Sequence, residues 1–128
     1  MKNSIDYWVE LADYDLETAD AMLLTRRYLY VGFMCHQTIE KLLKALYTKF
    51  ITDIPPFTHN LMYLIELLKN NVDFPETHID LVTELMPLNI ESRYPSYKDK
   101  LYNYLTEEVC LSILNKTKLT EQWIKTKL

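Results

Sequence analysis

The chain has 128 residues, enough for one domain with one modest core. It is 48% hydrophobic and 25% charged, as ordinary globular domains are, and sets 14 basic against 18 acidic residues for a net charge of -4. That balance disfavours broad, sequence-blind binding to nucleic acid, and a lone glycine, Gly32, leaves no Gly-rich phosphate loop and little material for a turn-rich β fold.

The opening stretch, "MKNSIDYWVEL", has no apolar leader region, and no apolar run reaches the roughly 18 residues that a membrane span needs. Cys35 and Cys110 both sit in apolar-periodic runs, and no CxxC occurs. The expectation is a cytoplasmic protein with two buried free thiols and neither a zinc nor a dithiol centre.

The first helix is predicted from about Ile5 to Arg26, with Ser4 as its N-cap. Ile5, Trp8, Val9, Ala12, Leu16, Ala19, Met22 and Leu23 recur at three- and four-residue steps, which is one helix face. Arg26 and Arg27 are expected in its last turn, where cations suit the dipole. Asp6, Glu10, Asp13, Glu17 and Asp20 fall within about 80° of arc. This stripe is either a solvated face or a surface for cations or a basic partner.

A second helix is predicted from about Tyr30 to Phe50, with Cys35, Ile39, Leu42, Leu43 and Leu46 on its apolar side. Gln37, Glu40, Lys41, Lys44 and Thr48 fall within about 100° of its polar side. Two readings stay open here. One is a solvated face laced by a Glu40–Lys44 pair, and the other is the border of a groove that meets residues 89–105. "TDIPPFTHN" reads as a linker, after which Thr58 would cap a third helix from about His59 to Lys69. A fourth would follow Pro75 and run from about Glu76 to Ser92, kinked or split by Pro87. The last begins after Thr106, with Glu107 and Glu108 in its first turn. Long helices with one-sided apolar stripes pack together most simply as an all-α, up-and-down bundle of four to five antiparallel helices, here one domain over residues 1–128.

Between the fourth and last helices lies "NIESRYPSYKDKLYNYL". Arg93 ends a helical run, and Tyr94, Tyr97, Lys98, Lys100, Tyr102 and Tyr104 crowd behind it. A guanidinium fork and two ammoniums suit phosphate, while phenols offer faces for base stacking and hydroxyls for hydrogen bonds. The structural alternative is a tyrosine-rich segment packed over the bundle. A di-metal bundle site would need Glu-x-x-His pairs, and none occurs. Neither a metal nor a cofactor is expected.

Three segments, "YWVELADYDLETADAMLLTRRYLYVGFMCHQTIEKLLKALY", "THNLMYLIELL" and "SRYPSY", stand in the order and spacing of a HEPN domain (higher eukaryotes and prokaryotes nucleotide-binding), which the chain resembles over most of its length. Gln37, Glu40-Lys41 and Lys44-Ala45 look like that family's second-helix signature, and His59 to Leu61 like the start of its third helix. The resemblance implies an all-helical bundle that commonly forms homodimers, contact with a nucleotide or RNA, and frequent pairing with a minimal nucleotidyltransferase in toxin–antitoxin modules. Many members are metal-independent ribonucleases with an arginine, four to six residues, then a histidine. Counting from Arg93, those positions hold Lys98, Asp99 and Lys100, and no histidine follows. Lysine does not move protons near neutral pH without a large shift, so cleavage of the usual HEPN kind is disfavoured and would need Lys98 or His59 as a substitute.

The leading expectation is therefore a nucleotide- or RNA-binding module. Arg93 and Lys98 would take phosphate, Tyr94 and Tyr97 would stack or hydrogen-bond, and Lys41, Lys44 and Gln37 would contribute from the second helix. A degenerate ribonuclease and a purely structural dimerisation or docking module are the alternatives.

Overall fold

The computed structural model describes residues 4–91 and 94–128. Helix α1 (Ser4–Leu24) turns back into α2 (Tyr28–Ile51), and the two pack along each other. Ala12 and Ala19 are the fully buried residues of α1. Their small side chains let the two backbones approach closely, while Val9, Leu16, Met22 and Leu23 flank the contact. The helix already includes Ser4 and stops at Leu24, so Ser4 is no N-cap and the two arginines lie beyond the last turn. They form its stop instead. Arg26 adopts a left-handed φ of 62°. Its N–H donates to the Leu23 carbonyl (3.1 Å), and that of Arg27 donates to Met22 (2.7 Å). This is the Schellman arrangement, which usually places glycine where Arg26 stands.

Helix α2 is the hub, touching each of the other helices. Its buried residues include Val31, Cys35, Ile39, Leu42, Leu43 and Leu46. Gly32 allows a close approach: a Cβ there would meet Leu88 Cδ1 at 3.1 Å and Leu105 Cδ1 at 3.5 Å. After the linker, α3 (Leu61–Leu67) is capped by Asn60, whose side chain accepts from the Tyr63 N–H. Thr58, expected as the cap, accepts from the Asn60 N–H instead (3.1 Å) and so shapes the turn just before it. Helix α4 (Glu76–Leu85) gives way to a 3-10 turn, Met86–Leu88. Pro87 lies in that turn, and the predicted continuation to Ser92 does not form; Ser92 itself lies outside the described residues.

The tyrosine-rich segment is helical. Helix α5 (Pro95–Tyr104) starts with Pro95 at its first position, where a missing N–H costs nothing. Leu101 and Leu105, one turn apart, are buried and anchor it. Helix α6 (Glu107–Lys125) is capped by Thr106, which accepts from the Val109 N–H, with Glu107 and Glu108 in the first turn as expected. Cys110, Ile113, Leu114 and Ile124 bury its apolar face. The all-α bundle expected from the sequence holds, with no strand among the described residues. No helix among them is long and apolar enough to cross a membrane.

Candidate ligand-binding site

The polar side of α2 is not the solvated face that was one of its two readings. Glu40 and Lys44 are only 4% and 7% exposed. Glu40 Oε2 accepts from Lys44 Nζ at 3.1 Å, and Oε1 meets His59 Nδ1 at 2.8 Å. Lys44 Nζ also lies 5.7 Å from the centre of the Trp8 ring, a cation–π contact from α1. Burying a carboxylate and an ammonium is costly unless each finds partners, and here both do. Lys41 forms an ion pair with Asp15 of α1. Gln37 Oε1 is 3.3 Å from His36 Nδ1, and Thr48 donates to the Lys44 carbonyl (2.9 Å).

His36 belongs to the same stripe and is fully buried. Its Nε2 has no hydrogen-bond partner. Burial pushes its pKa below the usual value, opposed by the Glu40 carboxylate, and its ring feels the backbone of His59. Gly32, His36, Glu40 and Lys44 thus follow one another at four-residue steps along α2. Leu88 and Leu105 cover the first, the His59 segment covers the next two, and Trp8 covers the last.

Helix α5 carries the second group of predicted residues. Tyr94 is 81% exposed and Tyr102 67%. Lys98 lies between them at four-residue steps, so the three share one ridge. Tyr97 points the other way. Its hydroxyl donates to the Pro87 carbonyl (3.0 Å), and its ring packs on the core. That bond ties the first turn of α5 to the 3-10 turn. Arg93 lies outside the described residues.

The acidic stripe of α1 is partly committed within the chain. Asp13 pairs with Lys125 (2.6 Å) and Asp20 with Lys118 (2.7 Å), both on α6. No group of His, Cys, Asp or Glu among the described residues could hold a metal ion. Both cysteines are buried and free, as expected. Trp8 also lines an open groove of about 670 Å³ with Tyr7, Ile54 and Pro55, away from α5. The functional candidate that sequence reasoning underweighted is His59. Nothing in its local spacing signals that Glu40, 19 residues earlier, receives its Nδ1.

Two solved structures share this architecture. The protein TT1696 from Thermus thermophilus superposes with a TM-score of 0.83 at 23% identity, covering 99% of this chain and 100% of the other. ST0689, an archaeal HEPN homologue, gives 0.73 at 23% identity, covering 98% of each. No sequence among curated proteins matches the chain. The HEPN domain matches residues 5–127, the hub helix, the His59 segment and the Arg93 region included, and the chain belongs to the HEPN domain family.

Proposed function

We propose that this chain is a nucleotide- or RNA-binding module whose contact surface is the segment from Arg93 through α5. The observation that carries the reading is the ridge of Tyr94, Lys98 and Tyr102, two exposed phenols flanking an ammonium. Solvent-facing aromatics at helical spacing do nothing for the core and stack readily on bases, while lysine meets the phosphate between them. Arg93 adds a planar fork for phosphate, and Tyr97 fixes the helix under the ridge. Gln37, Lys41 and Lys44 complete the proposed set from α2. The two lysines contribute less, since each already faces a carboxylate. Family membership supports a homodimer that works with a minimal nucleotidyltransferase partner, in a toxin–antitoxin-like system.

Calorimetric titration with ATP, GTP and short RNA tests the reading. Binding by the wild-type chain that weakens at least tenfold in Arg93→Ala and in Tyr94→Ala/Tyr102→Ala is expected. Equal heats for the wild type and these variants would remove the site. Light scattering checks the dimer, and co-purification with a co-expressed nucleotidyltransferase checks the partner.

A further inference from the structure

Most cations of the chain are committed within it. Among the described residues, six lysines pair with carboxylates of the same chain. Lys49 donates to main-chain oxygens of residues 127 and 128, and Lys127 lies over the Trp123 ring. The described cations without such a partner are Arg26 and Arg27, in the turn between α1 and α2, and Lys98 and Lys100 in α5.

These two places are neighbours at one end of the bundle. Leu105, just past α5, would meet a Cβ on Gly32 at 3.5 Å. The thiol of Cys110, in the first turn of α6, donates to the Tyr28 carbonyl at 3.6 Å. Arg26 and Glu107 line one groove of about 340 Å³ with Asp20, Leu23 and Leu24. Tyr102, the last residue of the exposed ridge, stands three residues before Leu105, and Arg27 stands five before Gly32. About 5 Å and 8 Å of chain rise therefore separate them from that contact.

The turn also holds its cations outward at a cost to the fold. Arg26 keeps a left-handed φ of 62° where glycine would be free of strain. Both arginines are exposed, as are Leu24 and Tyr30 on either side of them. Of the two carboxylates in the groove, Asp20 is taken by Lys118 (2.7 Å), which leaves Glu107 against two guanidiniums.

We infer that the α1–α2 turn is a second phosphate contact, and that the ligand of the module is a single RNA strand reaching from α5 to this turn rather than one nucleotide. This rests on the module reading above. Arg26 and Arg27 present planar forks to phosphate, and Tyr30 offers a ring to a base beside them. The ridge, the crossing from Leu105 to Gly32 and the start of α2 add to at most roughly 35 Å. A stacked strand advances about 3.4 Å per nucleotide, so about ten nucleotides join the two places.

The test is fluorescence anisotropy with labelled oligoadenylates of four and of twelve nucleotides, over a series of salt concentrations. The wild-type chain is expected to bind the longer strand at least tenfold more tightly. Arg26→Gly/Arg27→Gln should weaken the longer strand about tenfold and leave the shorter one unchanged. Its slope of log affinity against log salt should become shallower by about 1.4, two contacts at about 0.7 each. Glycine suits the left-handed position, and a thermal midpoint no lower than that of the wild type shows the fold kept. Equal wild-type affinity for both lengths, an unchanged slope in the double variant, or the same loss for both strands overturns the inference while the module reading stands. Binding of neither strand defeats the module reading, and this inference with it.

Discussion

Glu40 shows how much one buried side chain can hold. It takes donors from its own helix and from the linker after it, and Lys44 depends on it for charge balance. Glu40→Ala leaves the Lys44 ammonium buried and unmatched, and a broken buried pair costs about 3–5 kcal/mol. Urea unfolding should show a loss of that size. Replacing both Glu40 and Lys44 by apolar residues should cost much less, because no orphan charge remains. His36 supplies a second residue-level expectation. Burial lowers its pKa in the fold against Glu40, with Gln37 and His59 as its other neighbours. The unfolded chain therefore binds a proton near pH 6.5 that the folded chain resists. Stability should fall as pH drops through and below 6.5 and recover above it, and His36→Gln should flatten that limb of the unfolding curve against pH.

Among the elements, the stop of α1 carries a visible strain. Arg26 stands at the left-handed position of a Schellman turn, where a side chain costs roughly 1 kcal/mol that glycine avoids. Arg26→Gly should raise the thermal midpoint by a few degrees, read by calorimetry. The same helix shows what local pattern can and cannot say. Helices α1, α2 and α6 were legible because their apolar residues recur over five or more turns, and Thr106 with two glutamates marks a start without ambiguity. Helix α5 was not, because Pro95 reads equally as a stop or as a first residue, and only Leu101 is buried within it. Thr58 and Asn60 are both good caps by residue type, and the turn between them decided for Asn60. The polar stripe of α2 could be read either as solvated or as a groove border, because the linker segment that meets Glu40 returns from outside any local window. The exposed ridge of α5 was readable as composition, but the partnership of Glu40 with His59 belongs to the fold.

At the scale of the molecule, α2 runs through the middle and every other helix leans on it, so its centre should open only when the whole domain unfolds. Cys35 reports on that centre. It is fully buried, and burial pushes its pKa from 9.0 to about 12, with a smaller opposing effect from the Thr117 hydroxyl. Cys110, buried on α6, is pushed to about 11 by the same cause. In the unfolded chain both thiols ionise near pH 9.0. Above that pH the unfolded state therefore binds fewer protons than the folded one, and stability must decline as pH rises. For Cys35 the decline is about 1.4 kcal/mol per pH unit until its folded pKa is reached. Tyrosines and lysines also titrate there, so the informative quantity is the difference in slope between the wild-type chain and Cys35→Ala, measured by urea unfolding between pH 9 and 11. Loss of the thiol should make the alkaline slope shallower, whatever the substitution does to stability at neutral pH. An unchanged slope would mean that Cys35 meets solvent through an opening smaller than global unfolding, and α2 would then not be the last element to yield.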